Sequence, residues 1–193
     1  MPYSNNWFER DAQTKFEKYL SDLTIDTYLE LGCCEGASLL WVYENLKPEA
    51  IYAVDAWKAR KRSDQEAFDK YKANFDANTQ VIRNDPDCDL TVLQDDTRRA
   101  LCYLTLGDAG NEEPMNLVYV DAGHTAYDCL HDMVLSYGLM AVGGHMVVDD
   151  LNRKEHRGQY LVHPAVMQFE FLMMNRLERV WLDGRQICWK KTG

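Results

Sequence analysis

The apolar positions fall into short continuous runs separated by longer amphipathic stretches, and the alternation repeats five times. "TYLELG", "AIYAVDAW", "LTVLQDD", "MNLVYVDAG" and "GGHMVVDDL" read as buried strands, each a brief apolar run bounded by glycine or acid. Between them "ASLLWVYENL", the stretch 63–78, "TRRALCYLTL" and "TAYDCLHDMVLSYGLM" read as helices, with Pro48 halting the first. Ahead of the first strand, Phe8, Ala12, Phe16, Tyr19 and Leu20 share one face of a helix from Trp7 to Leu20. The tail gives a helix near 164–175 and then two strands in "RLERVWLDGRQICWKK", joined at Asp183-Gly184.

Strands that are apolar throughout, rather than at alternate positions, belong to a parallel sheet covered on both faces. The expected fold is α/β: a single Rossmann-like, doubly wound, mostly parallel sheet with helices on both faces and a C-terminal antiparallel hairpin at the edge. No repeat, low-complexity tract or linker interrupts the chain, so residues 1–193 are expected to form one domain, with 1–22 as a helical cover.

Composition narrows the function. The formal net charge is −10, a surface that repels phosphate backbones, so nucleic acid is not an expected partner. The basic run "WKARKR" is short, is followed by acids, and reads first as a solvated helix start. No apolar run is long enough to span a membrane and the N-terminus lacks a signal-peptide layout, so a cytoplasmic protein without a membrane partner is expected. The six cysteines show neither C-x-x-C nor zinc spacing and read as buried thiols.

The acids are placed where chemistry would use them. Glu30, Asp55, Asp95, Asp96, Asp121, Asp149 and Asp150 all lie at or near strand C-termini, the edge where doubly wound sheets bind ligands. The loop after the first strand, "ELGCCEGAS", fails the dinucleotide pattern because Cys34 and Ala37 stand where glycines are needed, and it has no P-loop Gly-Lys-Ser/Thr. What it has is E-x-G-x-x-x-G, from Glu30 to Gly36.

With that motif and the later "VDAGHTAYDCLHDMVLSYGLMAVGGHMVVDD", the chain resembles the class I S-adenosylmethionine-dependent methyltransferases. It is similar to the methyltransferase domain 24 family, and to catechol, caffeoyl-CoA and macrocin-type O-methyltransferases. The resemblance implies S-adenosylmethionine as cofactor. Gly32 and Gly36 would let the backbone approach it, Glu30 would offset its positive charge, and Ser38 would meet its methionyl carboxylate. Asp55 would accept both ribose hydroxyls, and Asp95 or Asp96 the adenine amino group. Trp57 would pack on the adenosine or simply in the core. Cys33 and Cys34 fill variable positions and offer their main-chain N–H groups rather than their sulfurs.

A second constellation joins the fourth and fifth strand ends. Asp121, Asp149 and Asp150 offer hard oxygen ligands suited to Mg²⁺, and the resemblance places a metal there that would orient a substrate diol and lower a hydroxyl pKa. His124 would take the hydroxyl proton, or else cap the helix beginning near Thr125. Asp121 and His124 are therefore the catalytic candidates, with Asp121 also at the cofactor. His131 and His145 read as structural. "LNRKEHRGQY", with Arg153, Lys154 and Arg157, reads first as a solvated loop and second as a substrate lid. Trp7 and Phe8 would cover the cofactor cleft or simply pack.

The leading expectation is methyl transfer from S-adenosylmethionine to an oxygen of a small molecule, a sugar or diol, with Mg²⁺ assistance. The alternative is a non-catalytic, regulatory S-adenosylmethionine-binding protein. Polymer acceptors are not expected, because little chain lies outside the core, and exposed edge strands make a homodimer possible.

Overall fold

A computed structural model describes residues 3–59, 61–107, 114–154 and 161–193. Seven strands form one sheet in the order β3-β2-β1-β4-β5-β7-β6. They are β1 (Thr27–Leu31), β2 (Ala50–Val54), β3 (Asp89–Leu93), β4 (Met115–Val120), β5 (Met140–Val148), β6 (Leu177–Leu182) and β7 (Ile187–Lys191). β1 to β5 pair in parallel; β7 runs antiparallel to both β5 and β6. The expected architecture, including the hairpin at the edge, is the observed one.

The reason is visible in where alternate side chains go. Leu29 and Leu31 of β1 enter one apolar cluster with α6 (Thr97–Thr105), α7 (Ala126–Leu139) and α8 (His163–Leu172). Tyr28 enters the other, with α2 (Gln13–Tyr19) and α3 (Ala37–Leu46). A strand buried on both faces has no reason to alternate, and every residue of β1 is buried. No helix among the described residues is long and apolar enough to cross a membrane.

Several boundaries differ from the sequence expectation. The N-terminal helix breaks at Ala12 into α1 (Trp7–Asp11) and α2. The expected apolar face survives the break, since Ala12, Phe16 and Leu20 are all buried. The helix at 63–78 is α4 (Gln65–Asn78), entered through a 3₁₀ turn at Arg62–Asp64, and a short α5 (Gln80–Arg83) follows it without having been expected. β5 begins at Met140, ahead of the glycine pair, and carries Gly143 at φ +90° where its register against β4 shifts. The glycines thus mark an irregularity inside the strand rather than its opening.

Two close approaches position the site. Gly32 has φ +93°, and a Cβ there would overlap the Asp121 carbonyl, lying 2.6 Å from its carbon and 2.8 Å from Ala122 Cα. Only glycine lets the turn after β1 lie against the turn after β4. Phe16 ties the N-terminal segment to the same place, with its ring 5.1 Å from that of Tyr119 and 5.5 Å from that of Trp41. Phe16 has no solvent exposure. Truncating it to alanine should cost about 3–5 kcal/mol of unfolding free energy, as large-to-small changes in close-packed cores do. Urea denaturation checks this, and a loss below about 1 kcal/mol would mean that α2 is not docked as described.

Candidate active site

The loop from Gly32 to Gly36 is held by hydrogen bonds from several directions. Gly36, at φ +83°, precedes α3, and its N–H donates to the Cys33 carbonyl at 2.7 Å. The Cys34 N–H donates to Asp55 Oδ2 at 2.9 Å, the Trp57 N–H to Asp55 Oδ1 at 2.7 Å, and the Trp57 indole N–H to the Cys34 carbonyl at 2.7 Å. Asp55, at the end of β2, therefore braces the loop from the position expected to face a ribose. Burial raises its pKa, and the N–H groups of Trp57, Cys34 and Cys33 oppose that shift. Trp57 is buried against Phe75, with ring centroids 4.8 Å apart, so its indole anchors the loop from the core.

Glu30 is fully buried, accepting from Tyr28 Oη at 2.7 Å and Ser38 Oγ at 2.5 Å. Burial pushes its pKa up to about 7, with the two hydroxyls opposing the shift. The Ser38 hydroxyl, expected to meet a methionyl carboxylate, donates to Glu30 in this structure. The thiols of Cys33 and Cys34 behave as bystanders: burial holds Cys33 well above the ordinary thiol range and lifts Cys34 to about 12. A protonated thiol is a poor nucleophile and metal ligand.

Sequence reasoning missed Glu35. Its buried carboxylate accepts from the Ser4 N–H at 2.8 Å, Ser4 Oγ at 2.7 Å, Asn5 Nδ2 at 3.0 Å and Asn74 Nδ2 at 2.5 Å. The glycine loop is thereby clasped to the N-terminal segment and to α4. The result is a cavity of about 70 Å³ lined by Tyr3, Asn5, Trp7, Phe8 and Asp11 on one side, and by Gly32, Ser38, Tyr119, Asp121, Asp149 and Arg185 among others. Trp7 and Phe8 line this cavity and also pack, on Tyr71 and Phe16 respectively.

Asp95 and Asp96 separate into different roles. Asp96 caps α6 through the Arg98 N–H at 3.1 Å and holds the Arg98 guanidinium at 2.9 Å. Asp95 is exposed; its Oδ1 accepts the Asp96 N–H at 2.7 Å and lies 3.6 Å from Arg99.

The acids after β4 and β5 also divide. Asp121, His124 and Asp150 each present one donor atom within 4.8 Å of the others. The expected trio of Asp121, Asp149 and Asp150 does not converge in this way. The Asp149 carboxylate is turned to Tyr119 Oη and Gln186 Nε2, each donating at 2.7 Å, and to Arg185 Nε at 3.3 Å. Adjacent residues at a strand end send their side chains in different directions, and Asp150 further adopts φ +63°. Both oxygens of Asp150 carry arginine N–H groups, Arg153 Nη1 at 2.6 Å and Arg185 Nη2 at 3.2 Å. His124 Nδ1 lies 3.4 Å from Asp150 Oδ2. Burial and the neighbouring Asp149 and Asp150 carboxylates push the Asp121 pKa well above the ordinary carboxylate range. A Mg²⁺ centre needs unencumbered carboxylate oxygens at about 2.0–2.1 Å. Asp149 and Asp150 already serve as guanidinium partners here while Asp121 does not, so the expected trio does not fit such a centre as it stands. Arg157 and Arg60 fall outside the described residues; the Arg153 end of the basic loop is turned inward onto Asp150.

The first half of the site has the elements that hold a nucleoside in doubly wound sheets: a glycine turn, a helix start behind it, and an acid at the end of β2. The family model of the methyltransferase domain matches residues 29–151, and the chain belongs to this family of class I S-adenosylmethionine-dependent methyltransferases. Solved structures agree on the fold. A candidate rRNA methylase of Clostridium thermocellum superposes with a TM-score of 0.68 at 14% identity, covering 95% of this chain and 97% of that one. A candidate O-methyltransferase of Klebsiella pneumoniae gives 0.67 at 17% identity, covering 100% and 84%. The N-methyltransferase NodS of Bradyrhizobium japonicum, solved with S-adenosylhomocysteine, gives 0.62 at 12% identity, covering 98% and 90%. No curated protein matches. The three names span RNA, oxygen and nitrogen acceptors, and the first belongs to a chain of matching extent, so chain length does not exclude a polymer acceptor.

The raised Glu30 pKa has a thermodynamic consequence. A carboxyl that is protonated more readily when folded adds stability that is fully present below its ordinary value of 4.5 and is lost as pH rises through about 7. Glu30→Gln removes that dependence. Between about pH 5 and pH 8 the variant should gain unfolding free energy relative to wild type, read from paired denaturation curves. A constant difference would mean that Glu30 ionises normally.

Proposed function

We propose that the protein transfers a methyl group from S-adenosylmethionine to a hydroxyl oxygen of a small molecule, with His124 as the base. The observation that carries the reading is the junction of the two turns. The cofactor loop lies directly against the Asp121 turn, so donor and acceptor would share the cavity that Asp121 lines. When bound, S-adenosylmethionine supplies an electrophilic methyl on a sulfonium and leaves as the neutral thioether.

The residues then take these parts. Beside its backbone N–H partners, Asp55 keeps lone-pair capacity with which to accept from the ribose hydroxyls. Asp95, exposed and not spent on the helix cap, is favoured over Asp96 for the adenine amino group. Glu30 and Asp121, both shifted toward the neutral form by burial, would ionise more readily against the cationic end of the bound ligand. Asp150, 3.4 Å from His124 Nδ1, favours the tautomer that donates from Nδ1 and carries its lone pair on Nε2, the atom that would accept the substrate proton. Alignment of the two reactants supplies much of the remaining acceleration. The Mg²⁺ assistance expected from the resemblance has no part in this scheme. The formal charge of −10 favours a small acceptor over RNA.

Calorimetry with S-adenosylhomocysteine should give a saturable heat. Asp55→Asn keeps one acceptor and loses one charge-assisted bond, so binding should weaken about 10- to 100-fold, more than for Asp149→Asn. No heat at millimolar ligand would remove the reading. Ligand binding without turnover of any hydroxylated metabolite in a coupled thioether-release screen would favour the regulatory alternative.

A further inference from the structure

We infer that Arg185, with Arg153, occupies the electrostatic place of a divalent cation at this site, and that Arg185 is the residue that positions the acids after β5. The inference rests on the methyltransferase reading for its meaning but not for its geometry. Arg185 sits in the turn between β6 and β7. There Asp183 Oδ1 accepts the Arg185 N–H at 3.2 Å and the Gln186 N–H at 3.0 Å, and the Leu151 N–H donates to the Arg185 carbonyl at 2.9 Å. The hairpin thus delivers a guanidinium at a fixed place next to the turn that follows Asp150.

That guanidinium reaches three carboxylates. Nη2 is 3.2 Å from Asp11 Oδ2 and 3.2 Å from Asp150 Oδ1, and Nε lies 3.3 Å from Asp149 Oδ1 as an ion-pair contact without hydrogen-bond geometry. Arg153 Nη1 takes the other oxygen of Asp150 at 2.6 Å. Asp11 belongs to α1, so the same cation holds the N-terminal cover to the acid pair. A planar fork of N–H donors suits several carboxylates at once, keeps its charge at any working pH and needs no loading. A divalent ion among Asp121, His124 and Asp150 would meet the like charge of the two guanidiniums already on Asp150, at 2.6 and 3.2 Å. The departure from the expected metal set is therefore a substitution of one cation for another.

The test uses Mn²⁺ as a spectroscopic probe, read by the loss of its free-ion paramagnetic resonance signal. Wild type should leave the signal unchanged up to about 1 mM protein, since the two guanidiniums on Asp150 repel a further cation. The double variant Arg153→Ala, Arg185→Ala should bind Mn²⁺ at least tenfold more tightly, and adding Asp150→Asn should abolish the gain. If the double variant does not fold by circular dichroism, Arg185→Gln is used with the same expectation, and Arg185→Lys should restore exclusion. Micromolar Mn²⁺ binding by wild type that is lost in Asp150→Asn would overturn the inference. So would a folded variant that gains no binding. S-adenosylhomocysteine calorimetry in chelator runs alongside. Heat abolished by chelator would overturn the inference. Absence of heat under all conditions would strike the cofactor reading and leave the Mn²⁺ result standing.

Discussion

The site depends on one backbone contact, that between Gly32 and the turn carrying Asp121. At the point where the strand order reverses, β1 and β4 are neighbours and their following loops leave the sheet side by side. The ladder continues just beyond the strands: Gly32 N–H to Val54 O at 2.8 Å, Asp121 N–H to Leu31 O at 2.9 Å, and Asp149 N–H to Val120 O at 3.1 Å. Strand ends held in register like this carry Asp55, Asp121 and Asp149 to one edge. A side chain at Gly32 would pry the two central loops apart, and the cavity between them and the N-terminal cover would lose its floor.

Around that contact the polar groups are arranged as clasps. Glu35 binds the loop to Ser4, Asn5 and Asn74. Arg185 binds the hairpin to Asp11, Asp149 and Asp150. Both clasps involve the N-terminal segment, which also packs through Phe16 onto Tyr119, whose hydroxyl holds Asp149. Buried charges are tolerated only when their partners are in place. Cover, loop and acid pair are therefore mutually dependent, and disturbing one should be felt at the others.

Much of this was legible in the sequence, for reasons tied to local pattern. Continuous apolar runs specify a sheet buried on both faces, and an acid closing such a run must lie at the ligand edge, which is how Glu30, Asp55, Asp121 and Asp149 were found. Asp183-Gly184 marked the hairpin by its turn chemistry. The clasps were not legible, because Glu35 and Arg185 act through residues brought near only by the tertiary fold. Neither has a spacing that announces it; for Arg185 the available signal was a cation in the turn of an edge hairpin. The pairs Asp95-Asp96 and Asp149-Asp150 could not be resolved from sequence, since the role of each neighbour depends on which way the chain turns after its strand. The inward turn of Arg153 onto Asp150 likewise follows from a φ of +63° at Asp150 that no local pattern required.

The most direct measurement is a crystal structure grown with S-adenosylhomocysteine. The account predicts the ribose hydroxyls on the Asp55 carboxylate, the thioether sulfur over the Gly32–Asp121 junction facing the cavity, and the Arg185 guanidinium still seated between Asp149 and Asp150. Ligand density at any other edge of the sheet, or a sulfur directed away from Asp121, would contradict it.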